Sequence, residues 1–159
     1  TGGRIGYGAG PEKLIKAMSM IQSQSTSSPS SISQAASVEA LNGNQDYIQQ
    51  GKKIFQERRN LVVSMLNKIE GIECNQPNGA FYVFPDISYF FGKTIKGKTI
   101  HTANDFSMFL LEKANVATVT GDAFGSPNCI RISYAASEEN IIEALKRIKK
   151  ALNNFQITD

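Results

Sequence analysis

The sequence predicts an α/β protein in which a long helix leads into a compact unit of strands covered by helices. The first observation is periodicity. Over residues 46–69 apolar side chains recur every three or four positions, as in an amphipathic helix of about seven turns. The second is alternation, because between residues 70 and 155 short β-branched and aromatic runs are interleaved with segments of helical period. Such an order of elements is typical of a sheet that helices cover.

The amino-terminal part is predicted to contain a short strand and two helices. The run "RIGYG" (4–8) is typical of a strand that ends at a glycine turn. Pro11 suits the first turn of a helix over 11–24, because its missing N–H has no intrahelical partner there. The polar segment 23–29 is expected to be a loop, and it joins this helix to a second one over 30–41.

The remaining part is predicted to contain two capped helices and four strands. Thr102 can cap a helix over 103–114, and Ser137 can cap a last helix with acidic residues in its first turn and basic residues toward its end. The inward-facing residues are expected to be Phe106, Phe109, Leu110 and Leu111 in the first helix, and Ile141, Ile142, Leu145, Ile148 and Leu152 in the second. The predicted strands are 72–75, 79–87, 115–121 and 129–135.

Composition restricts the kind of chemistry that this chain can perform. The apolar content of 41%, the charged content of 19% and the net charge of +3 indicate a globular protein and do not argue for nucleic acid or an anionic membrane as partner. Cys74 and Cys129 lack metal-binding or redox spacing, which favours reduced thiols of a cytoplasmic protein. His101 is the sole histidine, too few for a His-based metal site or a Ser–His–Asp triad.

The segment "GKTIKGKT" (92–99) satisfies the phosphate-loop pattern G-x-x-x-x-G-K-[ST]. Such a loop needs a buried apolar strand before it and a helix that begins at its lysine. Here the short aromatic segment "DISYFF" precedes it, and the next helix cap, Thr102, comes later than the lysine. We therefore predict a hairpin, and a nucleotide-binding module remains the alternative. The expected exposed residues of the hairpin are Lys93, Ile95 and Lys96, with Gly97 at the turn.

Two arginines are candidates for anion binding. Arg4 lies among glycines, where the backbone can approach a ligand closely, and a guanidinium there suits a phosphate. Arg131 alternates with Ile130 and Ile132, so it is expected on the face of a strand opposite to theirs, where it could bind a carboxylate in bidentate fashion. The residues alone leave the alternatives of a strand arginine paired with a carboxylate and of an outward-facing surface arginine.

Five segments together carry a family resemblance. They closely resemble segments of class I (fold type I) pyridoxal-phosphate-dependent aminotransferases related to aspartate aminotransferase. The segments occur in the same order as in that family, and the resemblance covers essentially the whole chain. The segments are "TGGRIGYGAGPEKLIKAM" (1–18), "QSQSTSSPSSISQAASVEAL" (22–41), "PNGAFYVFPDI" (77–87), "GDAFG" (121–125) and "CIRISYAAS" (129–137). Two positions depart from the family pattern: Gly3 stands where tryptophan is usual, and Thr120 stands where proline is common.

The resemblance implies a fold and a division into domains. In the family signature S-K-x-x-x-M-T-G-W-R-x-G-Y, the lysine forms a Schiff base with the cofactor, and it would lie five positions before Thr1. The chain is therefore expected to be the carboxyl-terminal piece of a longer enzyme. Residues 1–45 would end the large cofactor domain, the helix 46–69 would join the domains, and residues 70–159 would form the small domain.

The resemblance also implies site residues and an activity. Arg4 would bind the phosphate of pyridoxal 5'-phosphate, Arg131 the substrate α-carboxylate, and Phe124 would lie near the substrate. The implied reaction moves an amino group from an amino acid, with aspartate favoured, to a 2-oxo acid in a homodimeric cytoplasmic enzyme. This chain alone is expected to be inactive and to expose apolar helix faces before residue 45. An aminotransferase for aromatic or other amino acids remains the alternative within the family.

Overall fold

The computed structural model describes residues 2–153 and divides into two compact units, residues 1–49 and residues 50–159. The first unit contains helix α1, Glu12–Ser25, and helix α2, Ser31–Asn42, as predicted. The predicted strand 4–8 is wrong, because none of the described residues of this unit is in a strand and Arg4 has a φ of 46°, outside the β region. Without a neighbouring strand here, the segment has no ladder in which to pair.

None of the described side chains in residues 2–49 is buried. The apolar residues that give α1 and α2 their helical period are on the surface, with exposed fractions from 50% to 81%. They are Leu14, Met18, Met20, Ile21, Ile32, Val38 and Leu41. The exposure of these helix faces was expected and is confirmed.

Helix α3, Asp46–Leu66, begins in the first unit and continues into the second. It ends three residues before the predicted position, because Asn67 onward forms turns instead of further helix. Asn67 holds the chain after these turns: its Nδ2 donates to Cys74 O over 2.9 Å, and its Oδ1 accepts from Cys74 N over 2.8 Å. Val62 and Leu66 are the buried residues of this helix.

Five short strands follow in the described part of the chain, and they form two sheets. The strands are β1, Tyr82–Val83; β2, Thr94–Ile95; β3, Lys98–Thr99; β4, Val119–Thr120; and β5, Ile130–Ser133. The main sheet has the order β1–β5–β4 with both pairs antiparallel. The four predicted strands are shorter in the structure, and 72–75 contributes only an isolated bridge from Glu73 to Asp86.

The segment 92–99 forms the antiparallel hairpin β2–β3, as predicted. Its two turn residues, Lys96 and Gly97, have φ values of 47° and 80°, which suits a tight two-residue turn. The expected exposure of Ile95 is wrong, because this side chain is fully buried. On an alternating strand it faces the core, whereas its neighbours Thr94 and Lys96 are exposed.

The two predicted helix caps are confirmed. Helix α4, Ala103–Ala114, begins at Thr102, whose Oγ1 accepts from Asp105 N over 3.1 Å while Asp105 Oδ2 accepts from Thr102 N over 3.0 Å. This reciprocal pair is a capping box. Helix α5, Glu138–Leu152, begins at Ser137, whose Oγ accepts from Asn140 N over 3.3 Å.

The hydrophobic core lies wholly in the second unit, between the sheet and helices α3, α4 and α5. Leu111 was expected in this core but is 46% exposed, and Ile142 is only half-buried, because each lies at the edge of the face that its helix turns inward. The largest fully buried side chains are Tyr134, Phe90, Phe106, Phe109, Leu66, Ile87, Ile95, Ile100, Leu110, Ile130 and Ile148.

Candidate functional site

Arg131 projects from the central strand of the main sheet, on the face opposite to the core. Ile130 is buried and Ile132 packs against the core, so alternation turns Arg131 toward the other face. The register pairs Arg131 with Val119 of β4, and Ser133, which shares its face, with Tyr82 of β1. The predicted direction of the Arg131 side chain is therefore confirmed, while its role stays a prediction.

Two aromatic rings lie against the Arg131 guanidinium. Its Cζ is 4.4 Å from the centroid of the Tyr82 ring and 4.4 Å from the centroid of the Phe124 ring. We call Arg131, Tyr82 and Phe124 the arginine cluster. Phe124, which was expected near the substrate, thus contacts the arginine that was expected to bind the same substrate.

The backbone after β4 places Phe124 next to the sheet. Residues Gly121–Phe124 form a single 3₁₀ turn, in which Thr120 Oγ1 donates to Asp122 Oδ2 over 2.6 Å. Gly121 is required here, because a Cβ would overlap the carbonyl oxygens of Ser126 and Cys129. Thr120 has a φ of −60°, which is the value that proline would impose, so its departure from the family pattern leaves the local backbone unchanged.

A second set of contacts holds Tyr82. The chain before it is anchored by Tyr134, whose hydroxyl donates to Ala80 O over 3.0 Å and whose backbone N–H donates to Phe81 O over 2.9 Å. Ala80 has a φ of 59°, so the chain turns sharply just before β1. Tyr134 is fully buried, and burial raises the pKa of its hydroxyl, which therefore stays protonated as the donor in this contact.

The guanidinium of Arg131 keeps its hydrogen-bond donors available. Within residues 2–153, no hydrogen bond or ion pair engages its side chain. Ring contacts consume none of these donors, since the N–H groups lie in the plane of the guanidinium. A half-buried arginine with free donors on an open sheet face can bind a carboxylate with two parallel hydrogen bonds.

Arg4 belongs to the first unit. Its side chain is exposed, and none of the ion pairs among residues 2–153 includes it. The preceding carbonyl, Gly3 O, accepts a 2.6 Å hydrogen bond from Ser33 Oγ on α2, which fixes the backbone at this position. An unpaired guanidinium beside glycine backbone fits a phosphate monoester, and this fit is the one that the resemblance implied.

The second unit also contains an open cavity of about 500 Å³. Three aromatic side chains that line the cavity lie close together: the ring centroid of Phe55 is 6.1 Å from that of Phe81 and 6.2 Å from that of Tyr134. Its charged lining residues, Lys52 and Arg59, are both basic. Arg59 is already engaged, because its Nη1 donates to Pro77 O over 3.0 Å. The other lining residues are Gln56, Asn78, Gly79 and Ala80.

Other candidate chemistries find no support in the structure. Lys98 lies in β3, 3.6 Å from Glu112, rather than at the start of a helix as a phosphate loop requires. Both cysteines are free thiols, and burial raises the pKa of Cys74 to about 11, which keeps it protonated and unreactive. The part of the chain that the structure describes has no group of three or more acidic, cysteine or histidine side chains that could hold a metal ion. No helix in that part is long and apolar enough to cross a bilayer.

The sequence predicts Arg131 and Phe124 as site residues, and their roles stay predictions; the structure adds Tyr82, which the sequence analysis did not single out, beside Arg131. The missing information was the strand register, because Tyr82 meets Arg131 only when β1 pairs with β5. The aromatic pair in "GAFYV" was a signal for a strand, yet nothing in it says which partner the ring contacts.

Comparisons with known proteins agree with the resemblance. The family model described as aminotransferase class I and II matches residues 1–148. A probable aspartate/prephenate aminotransferase of Rhizobium leguminosarum bv. phaseoli is 58% identical over 151 residues, covering 94% of this chain and 38% of that protein. An aspartate aminotransferase of Rhizobium meliloti is 56% identical over 156 residues, covering 98% of this chain and 38% of that protein.

A solved structure agrees as well. The crystal structure of the aspartate aminotransferase from Rhizobium meliloti is similar to this chain with a TM-score of 0.89 and 54% identity, covering 96% of this chain and 38% of that one. This chain thus spans about 38% of the length of the curated relatives named above.

Proposed function

This chain belongs to the class I and II aminotransferases, and we propose that it works as the carboxyl-terminal part of an enzyme that transfers an amino group from aspartate to a 2-oxo acid. The observation that carries the proposal is Arg131, a half-buried cation on an open sheet face with free donors. Both substrates carry an α-carboxylate next to the reacting carbon, so one guanidinium can bind and orient either of them.

Pyridoxal 5'-phosphate is the cofactor that we propose for the enzyme. When bound, it supplies the electron sink for the bond changes at the substrate α-carbon. The residue of this chain that would hold it is Arg4, whose permanent charge suits the phosphate and whose backbone is fixed by the contact between Gly3 and Ser33. Arg131 would hold the substrate carboxylate, and Phe124, in the same arginine cluster, would lie near the substrate.

The domain assignment is part of the same proposal. Residues 1–45 would complete a large cofactor domain, α3 would join the domains, and residues 70–159 would form the small domain. We further propose that the enzyme is a cytoplasmic homodimer and that these 159 residues do not transfer amino groups by themselves. The proposed inactivity of the 159 residues is supported by the coverage: this chain aligns with 38% of each relative, so most of the length of those proteins has no counterpart in it.

One of the relatives suggests prephenate as a second candidate acceptor of the amino group. The relative of Rhizobium leguminosarum is described as a probable aspartate/prephenate aminotransferase. Prephenate also carries a 2-oxo acid group, and so it could place its carboxylate on Arg131 in the same way. A panel with aspartate and aromatic amino acids as donors, and with prephenate and other 2-oxo acids as acceptors, would separate these activities.

The proposal is tested by kinetics of the complete enzyme. We expect Arg131→Lys to lower kcat/KM for both the amino acid and the 2-oxo acid by about 10²- to 10⁴-fold, because an ammonium cannot reproduce a bidentate guanidinium contact. Cofactor affinity should hardly change in this variant, whereas Arg4→Ala should weaken cofactor binding first. Arg147→Lys is the matched control, since Arg147 forms an exposed ion pair with Glu143 on α5.

Two results would contradict the proposal. Near-normal kcat/KM of Arg131→Lys for both substrates would make this arginine structural. Transfer by the 159-residue chain supplied with pyridoxal phosphate would contradict the proposal that the chain is inactive alone.

A further inference from the structure

We propose that Tyr82 and Phe124 are positioning residues that hold the Arg131 guanidinium ready for a substrate carboxylate. The proposal rests on the proposed function of Arg131 and adds to it the means by which the side chain is held. The observation is the pair of 4.4 Å distances from Arg131 Cζ to the two ring centroids.

An arginine that must bind a carboxylate has to be ordered before the ligand arrives. Its long side chain loses rotamer entropy when it is fixed, and this cost weakens binding if the ligand has to impose the order. A neighbouring carboxylate of the protein would order the guanidinium but would also occupy the donors that the substrate needs. Aromatic rings attract the cation without accepting its hydrogen bonds, so they order Arg131 and leave its donors free.

Each ring is itself fixed by a different part of the fold. Phe124 packs edge-on against Phe84, with centroids 6.0 Å apart and an interplanar angle of 86°. Tyr82 is held by the pairing of β1 with β5 and lies 4.4 Å from the Phe81 ring. The arginine cluster therefore joins the central strand, the neighbouring strand and the 3₁₀ turn after β4, and its geometry does not depend on one flexible loop.

The arrangement also restricts how a ligand can approach. The rings occupy positions against the guanidinium where an apolar contact is favourable, and the unengaged N–H donors remain in its plane. A ligand with two coplanar oxygen atoms, such as a carboxylate, matches these donors best. Phe124 thus serves the substrate through Arg131, in addition to the position near the substrate that the family resemblance implied.

The experiment measures equilibrium binding of the dicarboxylate maleate to the complete holoenzyme by calorimetry, together with KM and kcat. We expect Tyr82→Leu and Phe124→Leu each to raise the Kd of maleate and the KM of both substrates by about 3- to 10-fold. Because the rings affect substrate binding and not the chemical step, kcat should change by less than about twofold. Tyr82→Phe keeps the ring and should bind maleate like the wild type.

A coupled set of variants separates positioning from a general structural role. In an Arg131→Met background the side chain has no charge for the rings to hold, so Tyr82→Leu should have no further effect on the Kd of maleate. A merely structural ring would weaken binding equally in both backgrounds and would lower Tm. Tyr89→Leu is the matched control, because Tyr89 is 42% exposed, similar to Phe124 at 48%, and belongs to the same unit.

The remaining outcomes distinguish this inference from the proposed function. If Arg131→Met loses maleate but both ring variants bind it normally, the positioning role is overturned and the function of Arg131 stands. If maleate binds through Arg131 and the rings but no amino group is transferred, the proposed activity is overturned and the positioning role stands. If Arg131→Met binds maleate like the wild type, both are overturned.

Discussion

The two units of this chain use apolar residues of similar kinds in opposite ways. In α4, Leu110 is fully buried among aromatic and aliphatic neighbours, whereas Leu41 in α2 is 61% exposed. The second unit has a continuous core, and none of the described side chains in the first unit is buried. Helical periodicity is present in both, so periodicity predicts which residues share a face but not whether anything covers that face.

The same contrast separates the two candidate anion sites. Arg131 is held by two rings and a three-stranded sheet that belong to its own unit. Arg4 is exposed, and the contact that fixes its neighbourhood is a single hydrogen bond from Ser33 to Gly3. We therefore expect the second unit to keep its site geometry when its surroundings change, and the first unit to depend on further protein.

Core and surface leucines should differ most in their contribution to stability. Leu110→Ala should lower the free energy of unfolding by about 2–5 kcal/mol, because it leaves a cavity among fully buried side chains. Leu41→Ala should change it by less than about 0.5 kcal/mol. Leu111→Ala is the matched control on α4, since Leu111 is 46% exposed. Urea unfolding followed by circular dichroism measures all three, and equal losses for Leu41 and Leu110 would abolish the contrast.

A second expected effect concerns local opening. Amides of α1 and α2 should exchange with solvent at least about a hundredfold faster than the interior amides of α4 and α5, because few buried contacts oppose their opening. Hydrogen exchange followed by mass spectrometry resolves these helices.

The exposed faces of α1 and α2 should also drive self-association of the 159-residue chain. Ile21→Lys should reduce it in sedimentation, and Met108→Lys, a change at a 40% exposed position of α4, serves as the control. A monomer with strongly protected α1 and α2 would contradict the expectation.

The smallest expected effect compares helix caps. Thr102→Ala should cost about 1 kcal/mol, because Thr102 accepts a hydrogen bond from Asp105 N, whereas Ser30→Ala should cost less, because the Ser30 side chain makes no cap hydrogen bond to α2. Chemical denaturation of both variants measures the difference. A cost for Ser30→Ala equal to that for Thr102→Ala would show that α2 is capped as firmly as α4.

The α4 cap should also depend on pH. Hydrogen bonds from the backbone N–H of His101 and from Thr102 hold the pKa of Asp105 below its usual value. Its contribution is present above the unfolded pKa, near 4, and is lost as the pH falls through the lower folded pKa. The stability difference between wild type and Asp105→Asn should therefore shrink below about pH 4, and a difference that is constant from pH 7 to pH 3 would contradict this origin.

The features that could be predicted from the sequence depend on local interactions. Thr102 and Ser137 could be identified as caps because a cap bonds to the backbone three residues away. Arg131 could be assigned to one face because alternation needs only its two neighbours. The family could be identified from short motifs in order, and the comparisons confirm it.

The features that could not be predicted depend on contacts between residues far apart in the chain. Tyr82 reaches Arg131 only through the register of β1 on β5, and Ile95 is buried only because the hairpin packs on the core. The glycine-rich segment 4–8 has strand-like composition yet forms no strand, since no strand of its unit lies beside it in the described residues. Pairing and burial are set by partners that a local pattern cannot specify.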